Sequence, residues 1–299
     1  MTSPAASATL RLATRGSALA RAQTELAAVA LRAAGSTVVE TVVIRTRGDR
    51  DQSTPAAQME GEGWFTAELE AAVGDGRADA AVHSAKDLPT VLAPGLSVVA
   101  HLERADPRDA LVSRHRGGLD GLPEGATVGT SSPRREAFLR ALRPDLRTVA
   151  VRGNVDTRLR KLADGETDAL LLACAGLDRL GLGDRVSERL DPRRVVPAPG
   201  QGAVAIEALD GAPAAAVCSA ADHGPTTAAV RAERSLLATL GGGCLLPIGA
   251  WARWEDGRLV VLGAVAGPDG VRTAELSSDG DDPDTLGAAV AARLRATGR

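Results

Sequence analysis

The chain is predicted to fold as two α/β lobes joined by a hinge, followed by a small α+β domain. Three observations predict this. Between residues 9 and 102, and again between 105 and 173, short apolar runs alternate with helical patterns, which is the signature of a parallel or mixed sheet with helices on both faces. The stretch Val195-Val196-Pro197-Ala198-Pro199-Gly200-Gln201-Gly202 reads as a linker, and a strand follows at 203–208. If that strand returns to the first lobe, the lobe is discontinuous, and two chain crossings make a hinged cleft suited to clamping a ligand. From residue 226 the pattern changes to a long helix, three strands and a closing helix. A chain of 299 residues is also too long for one small core. The expected bounds are 1–102 with 200–220 for the first domain, 103–199 for the second and 221–299 for the third.

In the first lobe, Thr9 to Thr14 is predicted as a strand with Leu10 and Leu12 on one face. Arg15-Gly16-Ser17 follows, then a helix from Ala18 to Ala34. Ser17 is its natural N-cap, Leu19, Leu26, Val29 and Ala33 its expected buried stripe, and Gly35 its stop. Strand, tight turn and helix N-terminus leave N–H groups facing an anion, with Arg15 beside them. A second strand is expected at 38–45, a long loop without apolar period at 46–63, a helix at 64–74, and strands at 78–82 and 96–102. The run Ala80-Ala81-Val82-His83-Ser84-Ala85-Lys86-Asp87-Leu88-Pro89 ends a buried strand in four polar side chains. Such an end aims them beyond the sheet edge, where open α/β sheets bind ligands. Lys86 and Asp87 can there hold an anion and face a developing cation; taken alone, the stretch is read first as a surface ion pair in a loop.

The second lobe is expected to hold strands at 110–113, 127–129, 147–151 and 169–173, and helices at 133–142 and 155–163. In the turn Gly129-Thr130-Ser131-Ser132-Pro133-Arg134-Arg135, Ser131 or Ser132 caps the helix and Pro133 suits its first turn. In Arg152-Gly153-Asn154-Val155-Asp156-Thr157-Arg158, Asn154 is the expected cap. Arginine at a helix N-terminus opposes the macrodipole. Three such mouths, at Arg15, Arg134/Arg135 and Arg152/Arg158, point to a bound polyanion, because Arg grips carboxylate or phosphate bidentately.

In the last domain a helix at 227–240 leads into Gly241-Gly242-Gly243-Cys244-Leu245-Leu246-Pro247. Strands are expected at 248–254, 259–265 and 271–276, with Asp256-Gly257 as a hairpin turn. Asp282 should cap the closing helix, with Leu286, Val290 and Leu294 on its inner face. The three cysteines are odd in number and widely spaced, against a disulfide framework and against zinc; no metal is expected. Cys174 and Cys218 read as buried small hydrophobes. Cys244, behind three glycines, sits on an accessible loop and is a candidate nucleophile or attachment point. No Cys–His–Asn set accompanies it, so covalent attachment is favoured over proteolysis.

Composition narrows the partners. Apolar residues make up 44% and charged residues 24%, as in ordinary globular chains. A net charge of −3 gives no reason to expect nucleic acid or an anionic membrane. Aromatics are 2% with no Tyr, which leaves no base-stacking platform. Residues 1–8 lack the basic and apolar regions of a signal peptide, and no run is long enough to span a bilayer, so a cytoplasmic protein is expected. The only lysines are Lys86 and Lys161, a hint that position 86 wants a flexible ammonium rather than a guanidinium.

Ordered blocks along nearly the whole chain resemble the porphobilinogen deaminase (hydroxymethylbilane synthase) family. They are Leu12-Ala13-Thr14-Arg15-Gly16-Ser17, Thr46-Arg47-Gly48-Asp49, Val82-His83-Ser84-Ala85-Lys86-Asp87, Asp106-Pro107-Arg108-Asp109-Ala110, Gly129-Thr130-Ser131-Ser132, Arg152-Gly153-Asn154-Val155, Ala175-Gly176-Leu177-Asp178-Arg179-Leu180-Gly181, Gly200-Gln201-Gly202-Ala203 and Gly242-Gly243-Cys244. The resemblance implies two hinged, periplasmic-binding-protein-like α/β domains plus a small C-terminal α+β domain. It implies a transferase of tetrapyrrole (heme) biosynthesis that carries a dipyrromethane cofactor on Cys244 through a thioether. Four porphobilinogen molecules are then added in turn with loss of ammonia, and hydrolysis releases hydroxymethylbilane. Each pyrrole bears acetate and propionate. The resemblance assigns Lys86, Asp87, Ser132, Arg134, Arg135 and Gly153 to the cofactor, and Arg15, Ser17, Arg152, Arg158 and Arg179 to the elongating polypyrrole. Loss of ammonia leaves a cationic azafulvene, and Asp87 is expected to stabilise it and manage protons as the catalytic residue. Ser84 stays a candidate ligand contact, whereas His83 is expected to be structural. A monomer is expected, since the cleft is complete within one chain.

The sequence departs from the family in places. Gln58 and Glu62 stand where lysines are common, Pro133 replaces a usual Leu, and Leu245 follows Cys244 where a polar residue is common. Two other readings share some of these features. A non-catalytic hinged anion-binding protein explains the Arg mouths and lobes but not the third domain with its Cys loop. A thiol-dependent transferase for a small acidic metabolite uses Cys244 but leaves the cleft oversized.

Overall fold

The computed structural model describes residues 9–35, 38–51, 63–242, 246–267 and 270–296. Strands β1 (Leu10–Arg15), β2 (Val39–Ile44), β3 (Ala80–Ser84) and β4 (Leu96–His101) belong to one sheet, and β5 (Asp109–Ser113), β6 (Thr127–Gly129), β7 (Arg147–Val149), β8 (Ala169–Ala173) and β9 (Glu188–Arg189) to a second. Strand β10 (Val204–Leu209) returns to the first, giving the order β2-β1-β3-β10-β4. The second sheet runs β7-β6-β8-β5-β9. The two are built alike. β1 and β6 each have parallel neighbours on both sides, and β10 and β5 are each antiparallel to their neighbours. Each antiparallel strand is the first one laid down after the chain crosses from the other lobe. β3 and β10 are buried almost throughout and do not alternate; their only ionisable side chains, His83 and Glu207, meet each other at 3.1 Å in the interior.

Helix α1 (Ala18–Ala33) begins as expected, with Ser17 Oγ accepting from the Ala20 N–H at 3.2 Å. Its buried face is not the expected one. Ala20, Thr24, Ala27, Ala28 and Leu31 face inward, while Leu26 and Val29 are 45% and 54% exposed and Ala33 is also exposed. Small residues let the helix lie close to β1 and β3, where Ala27 and Leu31 join a cluster with Leu12 and Val82. That close approach, rather than the largest side chains, sets which face is buried.

The expected loop after β2 is partly ordered. A short helix, α2 (Arg47–Arg50), forms on a capping box in which Thr46 and Asp49 satisfy each other's backbone. Residues 52–62, including Gln58 and Glu62, lie outside the described residues. The next helix is shorter than expected, α3 (Ala67–Gly74). In the second lobe α4 (Pro133–Leu142) is capped by Ser132, while the Ser131 hydroxyl donates to Val151 O at 2.9 Å. Helix α5 (Val155–Ala163) follows Asn154, whose side chain makes no cap bond and faces the cleft instead. Periodicity gave no sign of α6 (Cys174–Arg179) or α7 (Pro213–Ser219), which have six and seven residues, too few for a helical stripe.

The last domain packs α8 (Gly224–Thr239) and α9 (Pro283–Ala296) on one face of an antiparallel sheet of β11 (Ile248–Glu255), β12 (Arg258–Gly267) and β13 (Gly270–Ser278). Asp256 and Gly257 both have positive φ, as the predicted hairpin requires. Asp282 caps α9 through the Thr285 N–H, and Leu286, Val290 and Leu294 are buried. Cys174 and Cys218 are buried as expected. Among the described residues no helix is long and apolar enough to cross a membrane.

The two crossings between the lobes touch. Ala105 N–H donates to Gly202 O, and Arg104 Nε donates to Gln201 O at 2.8 Å. Glu233 of α8, fully buried, accepts from Arg104 Nη1 at 2.6 Å, from Gly200 N–H at 2.7 Å and from Ala252 N–H at 2.7 Å. One carboxylate thereby joins both crossings to the third domain. Gly202 has φ of 90°, and a Cβ there would stand 2.5 Å from Ala105 O. Gly202→Ala should therefore cost about 1–3 kcal/mol, read as a lower urea midpoint; an unchanged midpoint would show that the crossings tolerate separation.

Candidate active site

Between the lobes lies a cavity of about 270 Å³. The first lobe lines it with Arg15, Ser17, Asp49, Phe65, Ser84, Lys86 and Asp87, and the second with Arg135, Arg152, Gly153, Asn154 and Arg158. These side chains sit at strand ends for a topological reason. Arg15 closes β1, Ser84 closes β3, and a single helical turn at Ala85–Asp87 then presents Lys86 and Asp87. Arg135 stands in the first turn of α4, while Arg152 and Gly153 lie in the connection before α5. In both lobes the parallel strands end at the cleft.

Lys86 donates from Nζ to Gln201 Oε1 at 3.3 Å. Burial pushes its ammonium down to about 8, and the charge of Arg135 adds to the effect. Burial likewise brings Arg158 down to about 10, helped by the charges of Arg135 and Arg152. Its Nε donates to Gly153 O at 2.8 Å. Arg15 pairs with Asp49, Nη2 to Oδ1 at 2.5 Å, and lies over the Phe65 ring at 4.3 Å. Burial alone would raise the Asp49 carboxyl, but the hydrogen bonds and charge of Arg15, with Thr46, outweigh it and hold it below the usual range.

Arg134 and Arg135 both converge on Asp109, which is fully buried. Arg134 Nη2 meets Oδ2 at 2.7 Å; Arg135 Nε and Nη2 meet Oδ1 at 2.9 and 2.8 Å. Gln201 Nε2 donates to the same Oδ1 at 2.9 Å, while its Oε1 accepts from Lys86 and from Arg135. Burial penalises the Asp109 carboxylate, yet the two guanidiniums and Gln201 win and hold its pKa far below the ordinary value.

The structure brings Arg15, Ser17, Lys86, Asp87, Arg135, Arg152, Gly153 and Arg158 to one cavity. Three expected residues stand elsewhere. Arg134 does not line the cavity; its Nη1 donates to Val196 O at 2.7 Å and its buried Nε has no hydrogen-bond partner among the described residues, so this guanidinium faces the interior of the second lobe. Ser132 is occupied in capping α4. Arg179 turns to the crossing and donates to Gly202 O at 2.7 Å. Cys244 lies outside the described residues. His83 is structural, as expected: its Nε2 sits 3.1 Å from the buried Glu207. Ser84 reaches the cavity, held by Gln23.

Asp49, Phe65 and Gln201 take part without having been singled out from the sequence. Thr46-x-x-Asp49 is a legible capping box and could have flagged Asp49. Nothing in the spacing could have flagged Gln201, whose partners are 66 to 115 positions away.

The cavity collects cations that depress one another's pKa and offers few carboxylates in return. Such a surplus suits a ligand bearing several carboxylates. Among the described residues no cluster fit to hold a metal ion occurs. A hinged two-lobe cleft that gathers four arginines and a lysine against the carboxylates of Asp49, Asp87 and Asp156 defines a protein built to clamp a polyanion.

Comparison with known proteins narrows this class. Residues 10–216 match the family model "Porphobilinogen deaminase, dipyromethane cofactor binding domain", and residues 227–296 match "Porphobilinogen deaminase, C-terminal domain". A porphobilinogen deaminase of Thiobacillus denitrificans is 47% identical over 97% of this chain and 96% of its own. One from Acidothermus cellulolyticus is 48% identical over 98% of this chain and 91% of its own. The chain belongs to the porphobilinogen deaminase family, and its two lobes are that family's dipyrromethane-binding region. Among solved structures, the BvgS VFT2 domain of Bordetella pertussis is 18% identical, with a TM-score of 0.42 over 71% of this chain and 86% of that one. The strand order, not that likeness, carries the fold.

The Lys86 shift yields a pH dependence with a definite sign. A pKa lowered to about 8 means that the ammonium loses its charge as pH rises through that value. Affinity for a dicarboxylate probe should thus be highest below pH 8 and fall by about tenfold above it, the worth of one charged hydrogen bond. Calorimetric titration across pH 6.5 to about 9.5 would check this. Lys86→Gln should bind weakly at every pH and flatten the profile; an unchanged profile would remove Lys86 from the binding set.

Proposed function

We propose that the chain condenses four porphobilinogen molecules head to tail, with loss of ammonia, onto a dipyrromethane held by Cys244, and then releases hydroxymethylbilane by hydrolysis. The observation that carries this reading is the surplus of cations around Asp87 in the cleft between the lobes. Dipyrromethane supplies the free pyrrole carbon from which the chain grows. Lys86 and Arg135, with the Gly153 backbone, hold its carboxylates. Arg15, Ser17, Arg152 and Arg158 hold those of the incoming porphobilinogen and of the growing polypyrrole. Ser132 and Arg134 act at one remove, by fixing α4 so that Arg135 projects into the cleft, and Arg179 acts by bracing the crossing at Gly202.

Asp87 does the chemical work. As the aminomethyl nitrogen leaves as ammonia, a carbon of the substrate becomes cationic, and the Asp87 carboxylate stabilises that charge through space. The same oxygens take the proton that the attacking pyrrole carbon loses once the new carbon–carbon bond has formed. Closing the lobes excludes water until elongation ends. We read the sheet membership as three domains, 1–102 with 200–220, 103–199 and 221–299, in a cytoplasmic monomer without nucleic-acid or membrane partners.

Three measurements test this reading. The intact mass of the purified protein should exceed the polypeptide by two pyrrole units, and the protein should colour with an aldehyde reagent for pyrroles. A bare polypeptide that stays inert with porphobilinogen would overturn the proposal. Asp87→Asn should keep the adduct and lose turnover by about 10²–10⁴-fold; near-normal turnover would remove Asp87 from the chemistry. Cys244→Ala should never carry the adduct, and a pyrrole mass on that variant would place the attachment elsewhere.

A further inference from the structure

A second cavity, also of about 270 Å³, opens beside the first and is lined by Gly16, Ser17, Arg45, Asp49, Arg50 and Asn154. Three of these residues, Ser17, Asp49 and Asn154, line both cavities, so the two share a wall. We propose that this second cavity is a carboxylate subsite for the later units of the elongating polypyrrole, with Arg45 and Arg50 as its anion contacts. The inference rests on the deaminase reading and extends it to residues outside the cleft set.

Room is the first argument. A cavity of about 270 Å³ is at the small end for a single drug-sized ligand. Two pyrroles in the starter and four added make six, and each brings two carboxylates, twelve in all. The inner cavity cannot take that length of chain without an outlet.

Charge is the second argument. The inner cations are Arg15, Lys86, Arg135, Arg152 and Arg158. These are five cations against twelve carboxylates, and Arg15 and Arg135 also share their charge with Asp49 and Asp109. The late carboxylates therefore outnumber the cations that can meet them. Arg45, immediately after β2, is exposed and makes no ion pair among the described residues. Arg50, at the end of α2, pairs with Glu68 at 2.9 Å through an exposed contact of the kind that exchanges readily for a better anion. Two like charges flanking one small cavity repel each other, and an anion between them removes that cost. The Asp49 carboxylate on the shared wall does not repel a ligand carboxylate strongly, because Arg15 neutralises it. Asn154, freed from capping α5, offers an amide donor on the same wall.

The test uses the holoenzyme. Parent and Arg45→Ala/Arg50→Ala proteins are given limiting porphobilinogen, and the covalent adducts are resolved by intact mass over time. The variant should lose about tenfold in the rates at which the third and fourth units are added, with much smaller effects on the first and second. Arg45→Lys/Arg50→Lys should recover most of the loss, which a packing role would not predict. Arg45→Ala alone, at an exposed position, gives the same reading at smaller size if the double variant folds poorly. Equal adduct ladders in parent and variants would overturn the subsite alone. A parent protein that never gains pyrrole mass would overturn the deaminase reading and the subsite with it.

Discussion

The geometry of the cleft depends on the buried carboxylate of Asp109. It receives Arg134, Arg135 and Gln201 at 2.7–2.9 Å with no exposure to water. Burying one carboxylate with two guanidiniums is costly, and removing a single partner from such a set is costlier still, about 3–5 kcal/mol. What the cluster achieves is position. Asp109 begins the strand that follows the outward crossing, Gln201 lies in the return crossing, and the arginines stand on the first turn of α4. Their common partner holds these three segments together. Gln201 then passes the constraint to Lys86 in the other lobe.

Glu233 performs the matching task behind the hinge. It ties Arg104 of one crossing, the Gly200 amide of the other and the Ala252 amide of the third domain to one carboxylate. The crossings are therefore fastened to the third domain, whose β12 also packs Leu262, Ala264 and Ala266 into one core with Leu111, Phe138 and Leu139 of the second lobe.

The two lobes present their charges differently although their strand orders match. In the first, Arg15 is shielded by Asp49 and Phe65, and the free chemistry is left to Lys86 and Asp87. In the second, Arg135, Arg152 and Arg158 crowd together, and burial with mutual repulsion brings Arg158 down to about 10. An anionic ligand relieves both costs at once, so closing the cleft on a polycarboxylate is favoured by the charges already there.

The sequence by itself determined what depends on periodicity and on hydrogen bonds between near neighbours. The alternation of strands and helices, the caps at Ser17 and Asp282, the hairpin at Asp256-Gly257 and the burial of Cys174 and Cys218 were all legible. The cleft residues at strand ends were legible too, because topology sends such ends to one edge. Which arginines line the cavity is settled by tertiary contacts. Arg134 and Arg135 are adjacent in the chain but about 100° apart around α4; the Asp109 carboxylate upstream meets both, yet only Arg135 also lines the cavity. Tertiary structure also decided the buried face of α1, where an alanine-rich sequence offers two overlapping stripes and close approach to the sheet selects the smaller one. Ion pairs and packing distances form between residues far apart in sequence, and no local pattern encodes them.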